Sequence, residues 1–388
     1  MERLRVRVYN VRFGDAILVS VPDRDGHGNP LTRHLLIDVG NVAASTEGGK
    51  DVVFRPVIED VRHELAGRAL DLYIMTHEHL DHVQGLLYAD TRHGLRLQAK
   101  HAWLTASSED GYYDNHLKAR KKRLEMLEAY RGVERFLSAA PETETWWMRS
   151  LMLNNNPQST ADCVRYLKGL ATHTTYVYRG LDLVGKHPFR TARLRVLAPE
   201  EDTSVYYSHV QPVALDLTPP SKAGAKPTLT VPRPPAGVDA GAFYNLVQRR
   251  RQGHEDNLLA IDRAANDTSV VLQLEWRGVR LLFPGDAEIG SWGAMASHDA
   301  LRGVDMLKVS HHGSANGTPS PELLDRIVPT TNSTKKPVAV ASTYPHTYSG
   351  VPDNATLDAL RARTELQDLD GVPDGGHIDL FFEPKTSG

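Results

Sequence analysis

The heptapeptide Thr76-His77-Glu78-His79-Leu80-Asp81-His82, "THEHLDH", decides the reading of this chain. It crowds three histidines and two carboxylates behind the apolar run "LDLYIM", which has the character of a buried strand. Neutral imidazole nitrogens and carboxylate oxygens are the donors that zinc and neighbouring transition metals favour. In a turn, residues two apart can face one side, so His77 and His79 can grip one ion together. Asp81 and His82 then aim elsewhere, and a second ion is their simplest use.

Two other places repeat the arrangement. Asp286 closes "RLLFPGD", and His311-His312 stand in "MLKVSHHGS", each behind an apolar strand-like run. Donors at three strand ends can converge on one edge of a pair of packed sheets. A carboxylate has two oxygens, which suits Asp286 to bridge two cations. Either His311 or His312 completes the second ion's ligands, leaving its neighbour to support them or to meet substrate.

Outward from these motifs, "RLRVRVYNV", "AILVSV" and "HLLIDVG" read as three antiparallel strands, and "PVIEDVRHELAG" as a helix stopping near Gly67. Residues 110–175 turn helical, with Leu124, Leu127, Tyr130, Val133 and Leu137 at helical spacing. Residues 200–252 contain Pro219, Pro220, Pro227, Pro232, Pro234 and Pro235 and read as a loop or lid without regular structure. Further on, "TSVVLQLEWRGVRLLFPGD" reads as a hairpin, and "VDMLKVS", "PVAVAST" and "HIDLFFE" as strands, with helices at "SPELLDRI" and "NATLDALRAR" between them. Strands mixed with helices at both ends imply two packed sheets with helices outside, in one domain over 1–388.

Composition narrows the function classes. A net charge of −3 over 388 residues gives no global attraction to nucleic acid or anionic membrane, so phosphate binding has to be local. The start "MERLRVRVYN" alternates like a strand rather than a signal peptide, and no run nears the roughly 18 apolar residues of a membrane span. Cys163 is the only cysteine, which excludes an internal disulfide. The expected location is cytoplasmic, with no membrane contact.

Together these residues resemble the metallo-β-lactamase-fold superfamily, whose HxHxDH motif stands intact at His77, His79, Asp81 and His82. The closer likeness is to the hydrolase-like domain of ComEC-type DNA-uptake proteins, carried by "VRFGDAILVSVP", "LLIDVG", "NDTSVVLQLEWRGVRLLFPGD" and "LKVSHHGS". The resemblance spans about Arg3 to Gly85 and Asn266 to Gly350; the helical block and the proline-rich segment have no counterpart in it. It implies an α/β fold, an αββα sandwich, holding two divalent metal ions, zinc or alternatively manganese. Many relatives carry a further histidine ligand before the hairpin, where this chain reads "AANDTSVV". The ion at His77 and His79 then needs an oxygen donor or water near Asn266 or Asp267, and leans towards a harder metal such as manganese. His254, His298 and His346 are the alternative substitutes for that ligand, though each reads first as a surface histidine.

The expected chemistry is metal-dependent hydrolysis, in which a bound ion lowers the pKa of water towards about 7 and supplies hydroxide. Asp81 is the catalytic candidate, ligating one ion and orienting the nucleophile. Phosphodiester or nucleic-acid cleavage is the leading expectation, with "KARKKR" (Lys118 to Arg123) and "QRRRQ" (Gln248 to Gln252) as basic clusters. Asn266, Ser314 and Asn316 are the candidate substrate contacts. The alternatives are hydrolysis of a small ester, lactone, thioester or lactam under a lid including Trp146 and Trp147, and a binding module in which the metals only support structure.

Overall fold

The computed structural model describes residues 2–42, 49–139, 141, 144–208, 210, 239–330, 336–344 and 350–385. The first half runs β1 (Leu4–Tyr9), β2 (Ala16–Arg24), β3 (Pro30–Val39), α1 (Asp51–Leu65), β4 (Leu70–Ile74), α2 (Leu80–His93) and β5 (Ala99–Thr105). Four helices follow, α3 (Tyr112–Asn115), α4 (Leu117–Ala139), α5 (Trp146–Asn154) and α6 (Pro157–Lys168), before β6 (Ala171–Val177) and β7 (Ala192–Ala198). Next come α7 (Ala240–Asn266), β8 (Val271–Trp276), β9 (Val279–Phe283), α8 (Ile289–Ser297) and β10 (Met306–Lys308). The order closes with α9 (Pro321–Ile327), β11 (Val338–Ala341), α10 (Asn354–Arg363), β12 (Glu365–Asp368) and β13 (His377–Phe382).

Among the described residues one sheet has the order β13-β1-β2-β3-β4-β5-β6 and the other β12-β11-β10-β9-β8-β7. Between them lies an apolar layer that includes Leu4, Val6, Val8, Ile17, Leu72, Trp276, Leu281 and Phe283. A second layer joins the first sheet to α1, α2 and α6 through residues such as Val57, Val61, Val83 and Leu167. A third covers the second sheet through Trp292, Met295, Leu324 and Leu360 on α8, α9 and α10. The result is an αββα sandwich, as the mixed strands and helices imply. Period-two alternation explains β1: Leu4, Val6 and Val8 enter the layer between the sheets, while Arg7 turns outward to Asp60, Glu64 and Asp379.

Two stretches differ from their expected form. Ala171 to Thr175 belong to β6, paired parallel to β5, rather than to the helical block. Their β-branched and aromatic run "THTTYV" favours an extended edge strand over helix. In the segment expected to lack regular structure, Thr203–Tyr206 form a 3-10 turn and Ala240 to Gln252 open the long helix α7. The pairs Arg251–Glu255 and Gln252–Asp256, each four residues apart, stabilise that helix. The prolines from Pro219 to Pro235 lie outside the described residues. No helix among the described residues is long and apolar enough to cross a membrane.

Candidate metal centre

The turn between β4 and α2 carries His77 and His79, and the first turn of α2 carries Asp81 and His82. His79 takes extended backbone (φ −66°, ψ 146°) and α2 starts at once, so Asp81 lies in its first turn. There a carboxylate is favoured by the helix dipole. The loops before β2 and after β3 press against this turn. A Cβ on Gly40 would overlap the backbone of Asp81 and His82, so only glycine admits the approach. From the other sheet, Asp286 follows β9 and His311-His312 follow β10, its parallel neighbour.

His312 reaches the inner cluster and His311 does not. Both take left-handed backbone (φ 52° and 46°), a strained choice for histidine, and Gly313 continues it at φ 82°. The two imidazoles consequently aim at different groups. His312 Nε2 lies 3.4 Å from Asp286 Oδ2 and 3.6 Å from Asp81 Oδ2, while His82 Nε2 lies 3.2 Å from Asp286 Oδ2 and 3.9 Å from Asp81 Oδ1. All four side chains are buried. Asp81 Oδ1, His82 Nε2, Asp286 Oδ1 and His312 Nε2 have no hydrogen-bond partner among the described residues. Buried polar atoms left so cost about 1–3 kcal/mol each. Four convergent donor residues, whose imidazoles a cation would hold neutral, fit a divalent ion.

Beside them His77 Nε2 and His79 Nδ1 face each other at 3.0 Å, with Asp81 completing the group. A shared cation would take both lone pairs. The far nitrogen of His79 is held by Asn155 Oδ1 at 2.8 Å, with Asp262 Oδ1 at 3.7 Å. Thus α5 and α7 of the helical region steady a histidine of the opening motif.

Further residues orient the donors, as outer partners of metal ligands commonly do. Asp38 accepts from His82 Nδ1 at 2.9 Å, from the Thr76 amide at 2.8 Å and from the Thr76 hydroxyl at 2.6 Å. His312 Nδ1 donates to the Ser342 carbonyl at 3.0 Å. The Ser342 hydroxyl donates to Asp15 Oδ1 at 2.6 Å, and Lys308 Nζ donates to Asp15 Oδ2 at 2.9 Å. Sequence patterns indicate none of these partners, although Asp15 and Asp38 lie in the quoted "GDA" and "LLIDVG" stretches.

Burial, and then repulsion from His82 and His79, pull His77 well below the usual imidazole range, which keeps it a neutral ligand. Burial pushes Asp286 up, but His82 and His312 outweigh it and hold the carboxyl well below its usual value. Burial opposes charge on His312 too, and Asp286 overcomes it to lift the imidazole to about 9.

A cavity of about 340 Å³ opens onto the cluster, lined by His79, Asp81, Asp286 and His311 and walled by Phe13, Trp146, Trp147 and Leu151. Trp146 is exposed at the cavity, whereas Trp147 is half-buried and also packs against the apolar cluster around Val133, Met148 and Leu258. Ser314 and Asn316 also line it, whereas Asn266 is buried and donates to Glu288 Oε1 at 2.8 Å. No lysine or arginine is among its lining residues. Of the "KARKKR" cluster, Lys122 donates to the carbonyls of Ser204 and Tyr207, and Arg123 to the Tyr113 hydroxyl. These two charges are thus committed internally. His254 is buried against Phe136 and not at the surface, because α7 turns it into the helical region; His298 is exposed beside Glu200. His346 lies outside the described residues.

No protein-family model and no curated protein matches the chain. Among solved structures, the crystal structure of a long form RNase Z from yeast is similar over 97% of this chain, at 11% identity and a TM-score of 0.36. The chain spans 41% of the length of that protein.

Proposed function

We propose that this chain is a binuclear metal-dependent hydrolase, with phosphodiesters, including nucleic acid, as its substrate class and a place near the ComEC-type domains. One observation carries the reading. Asp81, His82, Asp286 and His312 converge with unpartnered atoms, Asp81 and Asp286 of them lining a cavity, and the His77–His79 pair adjoins them. Two divalent cations, zinc or manganese, would lower the pKa of water towards about 7 and offset the charge of an anionic transition state. Asp81 faces both groups of donors, so it can orient a water molecule and accept its proton. Trp146 and Trp147 offer rings on which a base can stack, and Ser314 and Asn316 offer polar contacts at the wall.

A second reading rests on the lining itself. With no lysine or arginine there and an apolar wall, the cavity also suits a small ester, lactone, thioester or lactam. Cleavage of bis-nitrophenyl phosphate, single-stranded DNA and RNA, and a nitrophenyl ester, each with zinc and with manganese, separates the two. Phosphodiester turnover that weakens with salt supports the first reading and ester turnover alone the second. Two bound ions without any turnover would leave a binding module. His79→Ala or Asp81→Asn with full activity would refute the site.

A further inference from the structure

We propose a third cation site, separate from the two groups of donors above, formed by Asp262, Glu288 and His311 with the side-chain oxygen of Asn266. The residues come from the end of α7, the turn after β9 and the first of the tandem histidines. Ligand atoms of Asp262, Glu288 and His311 lie within 4.8 Å of one another.

Charge balance is the first ground. Asp262 and Glu288 are 7% and 3% exposed, and neither has a lysine or arginine partner among the described ion pairs. His311, 3.3 Å from Glu288, can compensate one carboxylate at most, and Asp262 has, besides Asn266, only the Asn155 amide at 2.8 Å and His79 at 3.7 Å. A buried carboxylate without a counter-charge is strongly disfavoured, and a dication cancels both.

The second ground is Asn266, which is 1% exposed and whose amide head lies among the three ligands. Its Nδ2 is 2.8 Å from Glu288, 3.4 Å from Asp262 and 3.5 Å from His311 Nε2, while its Oδ1 has no partner among the described residues. Turned about its last torsion, the amide presents that oxygen to the same centre. His311 Nδ1, 3.3 Å from Glu288 Oε1, makes no hydrogen bond of good geometry there. Two carboxylates, an amide oxygen and one imidazole make a harder donor set than paired histidines, which favours manganese over zinc. The site adjoins the cavity through Asp262 and His311, so its ion would place positive charge in a wall that has no lysine or arginine.

Anomalous difference maps from crystals of the full chain soaked in Mn2+, together with ion counts by native mass spectrometry, test the proposal. A peak among Asp262, Glu288 and His311, lost in Glu288→Gln while the other peaks persist, is expected, with one ion fewer per chain. Asp262→Asn serves in the same way if the first variant does not fold. Peaks only beside His77, His82 and His312 would overturn this site and leave the hydrolase reading intact. Absence of every peak would overturn both.

Discussion

His82 Nδ1 donates to the carboxylate of Asp38 at 2.9 Å, and both side chains are fully buried. The bond fixes which nitrogen of His82 would keep its proton beside a cation, leaving Nε2 as the nitrogen that would ligate it. Thr76 supplies two more donors to Asp38, so the carboxylate is held before it holds the imidazole. Asp38→Asn exchanges one accepting oxygen for an NH2 that cannot face these donors. Affinity for a divalent cation should fall about 10–100-fold, as is typical when such outer partners are removed. Calorimetric titration checks this, and an unchanged Kd would contradict the orienting role.

Lys308 and Asp15 form an ion pair with side chains only 1% and 2% exposed. Lys308→Met strands the carboxylate and should cost about 3–5 kcal/mol of folding stability. Urea denaturation reads the loss directly. A loss below about 1 kcal/mol would place the pair among weak surface-like interactions. Adding Asp15→Asn should restore part of the stability, because no unpaired charge then remains buried.

Gly40 has no room for a methyl group against the backbone of Asp81 and His82. Gly40→Ala should cost about 1–3 kcal/mol through overpacking. It should also weaken zinc binding, because the start of α2 must move. Thermal melting and the same calorimetry test both effects. Full retention of both would mean that the loops yield freely.

On the outer face of the first sheet, Arg5 donates to Glu64 at 2.6 Å. That bond lowers the Glu64 carboxyl below its usual value; burial opposes the shift, and Arg5 and Arg7 reinforce it through their charges. A folded-state pKa below the unfolded one means that the stabilisation is complete above the unfolded value of about 4.3. It is lost as pH falls through the lower folded value. The stabilities of the parent and of Arg5→Met should therefore differ near pH ~6 and converge near pH ~3. A gap that stayed constant down to pH ~3 would exclude this linkage.

The sandwich was legible because its signals are local. Leu4, Val6 and Val8 alternate visibly, and donors directly behind apolar runs mark strand ends wherever they occur. Ala171 to Thr175 were misread because a short half-exposed edge strand lacks that alternation and follows helix directly. At the centre, the opening motif, Asp286 and the tandem histidines could be named from pattern alone. The choice between His311 and His312 could not, since it depends on two left-handed backbone angles. Asp38, Asn155, Asp262 and Glu288 gain meaning only through partners far away in sequence. A lone aspartate or asparagine in a helix or strand carries no periodic signal.

Ser342 supports His312 while itself leaning on Asp15, so the centre is closed by a residue near the end of the chain and one near its start. A ribosome must release the strand bearing Ser342 before that support exists. A chain cut short of Ser342 would keep every candidate ligand and yet lose the partner that aims His312.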